Sequence, residues 1–179
     1  MAKIILEIPP EVYKAVWSHL LPKKFRAEEA AFLFVQRIAQ DGADTFRYLE
    51  WYPIPPQGFL TRSRFYLELA DETKAAAIKK AHDLGASLVE LHSHYSSWPA
   101  QFSVSDLIGF KEFVPHVRWR LKGNPYFAIV VSKSSFDGFA WISDSKTANY
   151  IDCIISGGSE IPSTKLSNIG DIPYDIQTF

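Results

Sequence analysis

Cysteine is almost missing from this chain. Cys153 is the only thiol in 179 residues, which excludes an internal disulfide framework and a Cys-rich structural zinc site, and fits a reducing compartment. Histidine is nearly as sparse: His19, His82, His92, His94 and His116 are all of them. Neither sign of charge dominates, since 19 Lys and Arg against 20 Asp and Glu leave a net −1. Without a long basic block, nucleic acid is a poor partner. No apolar run approaches the ~20 residues that a membrane helix needs. The opening "MAKIILEIPPEVYKAV" has too short an apolar stretch, and a glutamate too early, for a secretory signal. These absences predict a soluble, cytoplasmic chain.

What is present is a large apolar and aromatic content, 47% and 15%. That favours a compact globule over disorder, and the length suits one domain over 1–179. "KIILEI" (3–8) reads as a strand and "PPEVYKAVWSHLL" (9–21) as a helix entered through proline. Residues 30–40 and 45–54 flank "DGAD", a hairpin signal. Residues 51–64, with three prolines and a glycine, predict a loop. A strand over 65–70 precedes "DETKAAAIKKAHDLG" (71–85), an acid-started, glycine-ended helix. A buried strand is expected over 87–94, a helix near 103–115, a hairpin-like pair over 126–132 and 136–143, and a last strand over 150–156. Mixed strands and helices predict an α/β or α+β domain with helices packed on a mixed sheet.

The chemistry concentrates in "LVELHSHYSSWPAQFSVSD" (88–106). On a strand, residues two apart share a face, so His92 and His94 project side by side, ~6.5–7 Å apart along the chain. Two such imidazoles can converge on one ion at ~2.0–2.1 Å. Asp106 could bring a third ligand and leave a fourth position open, which is the catalytic type of zinc site. The plainer reading is a strand ending in histidines, followed by a helix whose capping box is Ser103 with Asp106. The two readings are compatible, because a cap would aim Asp106 at the histidines.

The pair "HSH" with "SVSD" downstream of an apolar strand resembles the JAMM (MPN+, JAB) metalloprotease signature of His-x-His, a spacer, then Ser-x-x-Asp. The family also has a glutamate far upstream, before a hydrophobic strand, and "EEAAFLF" (28–34) lies where it is expected. Counting from Glu28 places the small Ala31 and then Leu33 at the family's positions; counting from Glu29 places Phe32 and Phe34 there. Glu28 is the better match, and otherwise Glu28 and Glu29 read as a solvated pair at a strand entrance. The resemblance covers roughly residues 10–145, leaving about 146–179 as a C-terminal extension. Three features depart from the pattern: eight spacer residues between His94 and Ser103 where seven are usual, Tyr95 in place of a common proline, and Val35 where many members have glycine. None removes a functional group.

The resemblance implies an MPN/JAB1 domain of cytidine-deaminase-like architecture, close to the bacterial branch of the family. It implies Zn2+ held by His92, His94 and Asp106, with Glu28 as general base and Ser103 stabilising the oxyanion. The implied substrate is a bond after the C-terminal glycine of a ubiquitin-like protein, with E1- and E2-like proteins as further partners and no membrane or nucleic acid. Residues 51–64 and the region after 143 are the insertions placed to grip that partner. A catalytically silent MPN-type scaffold is the main alternative, although such scaffolds normally lack a ligand. A His-x-His phosphoesterase would need more His and Asp ligands, and a Cys153–His116 nucleophile pair rests on residue types alone. His116 reads as structural and His82 as a partner for its helix dipole. Trp98, Trp119 and Trp141 read as core or groove wall.

Overall fold

The computed structural model describes residues 2–39 and 42–173. Eleven strands and three α-helices follow in order: β1 (Lys3–Glu7), α1 (Pro10–Leu20), β2 (Ala30–Ile38), β3 (Ala43–Pro53), β4 (Phe59–Arg62), β5 (Leu67–Leu69), α2 (Asp71–Leu84), β6 (Ser87–Ser93), α3 (Val104–Arg120), β7 (Tyr126–Ser132), β8 (Ser135–Trp141), β9 (Asn149–Tyr150), β10 (Cys153–Ser156) and β11 (Ser159–Pro162). Nine strands form one mixed sheet in the order β11-β10-β1-β3-β2-β6-β7-β8-β9, and β4 with β5 makes a separate hairpin. The expected class, a mixed sheet flanked by helices, is what forms. The expected turn over 41–44 includes Asp41, which lies outside the described residues.

The sheet curls because one short segment serves both of its ends. β9 pairs with β8, and two residues later β10 pairs with β1. Between them Ile151 donates its N–H to the Gly138 carbonyl and Asp152 donates to Ile4. A side chain at Gly138 would meet Ile151 Cδ1 at 2.7 Å, so glycine is what permits this crossing. The strand expected over 150–156 is therefore split, and β11 extends that edge beyond it.

Strand alternation gives the sheet two apolar faces. One buries Phe32, Phe34, Leu88 and Val130 against Ile78 and Ala81 of α2 and Leu107, Val114 and Val117 of α3. The other, inside the curl, buries Leu33, Val89, Phe127 and Ile129 with Val16 and Leu20 of α1. Each fully buried Leu, Ile or Phe contributes ~1.5–3 kcal/mol, so these two faces dominate the fold's stability. α2 ends at Gly85, whose φ of 61° is left-handed, as its acid-to-glycine pattern predicts.

Two expectations need correction. Residues 51–64 are ordered structure: Trp51–Pro53 end β3, a 3-10 turn spans Pro56–Gly58, and β4 follows. The buried Ile54 fixes the segment by donating to the Ala30 carbonyl, and Thr73 bonds the Gly58 carbonyl. The third helix runs through Pro115 to Arg120, past the expected end near 115. Packing carries it onward, since Val117 is fully buried and the Arg118 guanidinium donates to the carbonyls of Trp141, Ile142, Gly123 and Ser143. Among the described residues no helix is long and apolar enough to cross a membrane.

Candidate metal centre

β6 is held between β2 and β7, which makes the strand that delivers the histidines rigid. His92 lies opposite Ala30 on one side and Val130 on the other. His94 follows the strand's end but keeps its alignment, because its N–H donates to the Val131 carbonyl at 2.9 Å. The two imidazoles therefore point the same way, with Nε2 atoms 3.2 Å apart.

α3 brings Asp106 to them. Ser103 is its N-cap, and both halves of the capping box are made: Ser103 Oγ accepts from the Asp106 N–H, and the Asp106 carboxylate accepts from the Ser103 N–H. Asp106 Oδ1 then lies 3.4 Å from His92 Nε2, and Oδ2 lies 3.3 Å from His94 Nε2. The capping and ligand readings of "SVSD" hold together in one geometry.

The loop between His94 and α3 is fixed by what it packs on. Phe102 is buried against Phe110 and Phe139. Ala100 donates to Ser135 Oγ and Phe102 to Ser167 Oγ, while Thr164 Oγ1 donates to the Ala100 carbonyl. So the chain beyond β11 braces the loop that carries the candidate ligands. That loop in turn sets the His94 tautomer: the Gln101 carbonyl, 3.1 Å from Nδ1, can only accept. Nδ1 must carry a proton, which makes Nε2, facing His92 and Asp106, the nitrogen that a metal ion would take.

Glu28 enters from the residue pair before β2. Its N–H donates to the Ser63 carbonyl at 2.7 Å, its side chain is buried, and Oε1 lies 3.9 Å from His94 Nε2. Glu29 points elsewhere and pairs with Arg62 at 2.6 Å. The structure thus gathers Glu28, His92, His94, Ser103 and Asp106 at one point and leaves Glu29 outside it.

The electrostatics follow from burial among unlike charges. Burial pushes the Glu28 carboxyl up, against the pull of His92 and His94. Burial alone would lower His92, but Asp106, Glu28 and Glu90 outweigh it and raise the imidazole to about 8. Burial likewise opposes ionisation of Asp106, yet His92, His94 and Ser103 hold it well below the usual carboxylate range.

The donor set fits a small divalent ion. Tetrahedral ligands at ~2.0–2.1 Å lie ~3.3–3.4 Å from one another; here the two Nε2 atoms are 3.2 Å apart, and each faces a different oxygen of Asp106, His92 facing Oδ1 at 3.4 Å and His94 facing Oδ2 at 3.3 Å. His92, His94 and Asp106 could hold a metal ion, with the Glu28 carboxyl close by.

A pocket of about 480 Å³ opens beside His92 and Asp106. At its base Tyr126 donates to Glu90 Oε2 at 2.9 Å; burial pushes the Glu90 carboxyl up, partly offset by that hydroxyl. Sequence reasoning missed Glu90, although a signal was present. It is the one acidic residue in the apolar strand "SLVELHS" and shares parity with His92. His116, expected to be structural, is exposed on α3 and lines this pocket, because Pro115 does not end the helix. Cys153 lies beside Lys3 and Glu160 at the β10–β1 end of the sheet, so it does not pair with His116. Trp141 is buried, while Trp98 and Trp119 are exposed. His82 sits in the last turn of α2. No family model matches this chain, and no curated protein matches it either.

Proposed function

We propose that this chain is a zinc-dependent peptidase or isopeptidase of the JAMM (MPN+, JAB) type, acting after the C-terminal glycine of a ubiquitin-like protein. The observation that carries the reading is the cluster of two imidazoles and one carboxylate that could hold one ion, with the buried Glu28 3.9 Å from His94. The spacing of the motif residues in the sequence supports the family, and the mixed sheet flanked by helices is compatible with its fold.

Zinc, when bound by His92, His94 and Asp106, supplies Lewis acidity toward a water and a carbonyl. The chain's own residues do the rest. Glu28 takes a proton from the attacking water and returns it to the leaving amine; burial has already moved its affinity for a proton in the useful direction. Ser103 offers its hydroxyl to the developing oxyanion by turning it from Asp106 Oδ2, to which it donates in this structure, and such a donor is worth ~2.7–4 kcal/mol where it is lost. An extended, glycine-ended tail suits the site because glycine lets its backbone approach a centre closely. Residues 51–64 and the region after 143 are the insertions we assign to holding the partner's folded body.

The test has two parts. Elemental analysis should find one zinc per chain, lost in the His92→Ala/His94→Ala double variant. A fusion ending in the tail of a ubiquitin-like protein should be cut immediately after the terminal glycine, as mass spectrometry would locate, and an excess of chelator should stop the reaction. Stoichiometric zinc in the double variant, a cut elsewhere, or chelator-resistant activity overturns the reading.

A further inference from the structure

Beside the candidate metal centre, α3 carries a glycine that its backbone does not require. Gly109 has ordinary helical φ, and a Cβ built there would meet nothing within 4 Å. Glycine in a helix interior is destabilising relative to alanine, so neither turn geometry nor packing accounts for it. Its position does: Gly109 lines the 480 Å³ pocket, and the missing side chain leaves the wall open beside His92 and Asp106.

The pocket's chemistry is specific. Glu90 and His92 alternate on the same face of β6, ~6.5–7 Å apart along the strand, so the pocket reaches about one extended side chain away from the metal centre. Phe110, Phe113 and Tyr126 give it aromatic walls. Three carboxyl groups, Glu68, Glu90 and Glu112, line it besides Asp106. The one lysine in this lining, Lys74, pairs with the exposed Asp71 at 3.0 Å, and its ammonium also lies 5.8 Å from the centre of the Phe113 ring, so this wall already takes one alkylammonium and an incoming basic head must reach Glu90 beside Lys74 or displace it. Aromatic faces accept an aliphatic stem and a cationic head, and a carboxyl at the base accepts its N–H donors.

We infer that this pocket is a specificity subsite for one basic side chain of the substrate, lysine or arginine, lying next to the scissile bond. The stem passes Gly109 and packs on Phe110 and Phe113. The head reaches Glu90, which Tyr126 holds in place. Glu90 is a specificity-determining residue here and does not touch the reacting atoms. The inference rests on the peptidase reading for the meaning of "substrate", but the pocket's selectivity is measurable without turnover.

The experiment titrates the zinc-loaded protein with N-acetyl-lysine-N-methylamide and with its norleucine counterpart, following backbone amide resonances by NMR. The lysine compound should perturb Gly109 and Tyr126 and bind at least ~10-fold more tightly than norleucine, a difference of ~1.4 kcal/mol. Glu90→Gln should bring the two within about twofold. Gly109→Leu, which fills the opening without touching Glu90, should remove binding of both and guards against a Glu90 variant that fails to fold. Equal binding of the two compounds by the unaltered protein, or a lysine preference that survives Glu90→Gln, overturns the inference. A peptide library digested in parallel separates the two ideas. Lysine-selective binding by a protein that cuts no peptide supports the pocket and refutes the peptidase; cleavage without preference for a basic residue refutes the pocket and leaves the peptidase standing.

Discussion

Asp106 Oδ2 accepts two hydrogen bonds from Ser103, one from its backbone N–H and one from its hydroxyl, both at 2.7 Å. One serine therefore starts a helix and orients a candidate metal ligand. The carboxylate is placed by helix capping before any ion arrives, which lowers the ordering that binding must impose.

Replacing this serine should separate two effects. Ser103→Ala removes the cap and costs ~1 kcal/mol of stability, which in a domain of this size lowers Tm by ~2–4 °C. If the hydroxyl also serves the oxyanion, turnover should fall ~100- to 1000-fold, far beyond what a small shift in Tm explains. Thermal unfolding and kcat measured on the same preparation distinguish the two. Loss of stability with unchanged kcat would confine Ser103 to capping.

Ser167 provides a test at a distance from the histidines. Its Oγ accepts from the Phe102 N–H at 2.8 Å, and its own N–H donates to the buried Asp137 at 2.8 Å. Ser167→Ala leaves the Phe102 N–H without its acceptor, a loss of ~1–3 kcal/mol. The loop it releases carries Gln101, which fixes the His94 tautomer, and Ser103, which fixes Asp106. Zinc affinity should therefore drop ~10-fold or more, measured by competition with a chromophoric chelator. Unchanged affinity would show that the loop holds its shape without the C-terminal segment.

How far the sequence discloses this arrangement depends on whether a signal is local. The helix over 71–85 is readable because acid residues open it and Gly85 closes it, and β6 with its histidines is readable as an apolar run. The third helix extends beyond Pro115 because of contacts with strands distant in sequence, which a local rule about proline does not contain. The segment 51–64 looks like a loop because prolines break local pattern, yet Ile54 and Gly58 are held by Ala30 and Thr73. His92, His94 and Asp106 are candidates by their spacing, and Glu28 and the role of Ser103 come from the family resemblance, whereas the pocket needed the fold to bring Gly109, Glu90 and Tyr126 to one wall. The bracing of the ligand loop by Thr164 and Ser167 has no sequence signature at all.

Cys153 should be inert. Its thiol is fully buried, and burial chiefly pushes it up to about 11. A thiol pKa raised by folding contributes stability that is intact below the unfolded value, near 9, and is lost as pH rises through about 11. At pH 8 the native thiol should react with iodoacetamide at least ~100-fold more slowly than free cysteine, since only the thiolate attacks. Alkylating reagents should leave activity unchanged. Rapid labelling of the native protein accompanied by loss of activity would reopen a thiol mechanism.

The two adjacent glutamates offer the sharpest mutational contrast. Glu28 is buried beside His94, while Glu29 is bound to Arg62 at 2.6 Å and its backbone to Ser93. Glu28→Gln keeps nearly the same volume but cannot take a proton, so it should abolish measurable turnover while the protein still binds one zinc. The same change removes a buried carboxyl that burial disfavours in its charged form, so Tm should hold or rise slightly. Glu29→Gln removes a half-buried ion pair, worth at most ~1 kcal/mol when partly solvated, and should retain most activity. Zinc content, Tm and kcat of the two variants together decide the assignment. An active Glu28→Gln beside an inactive Glu29→Gln would mean that the base reaches the centre from the neighbouring position, and that β2 is displaced by one residue when substrate binds.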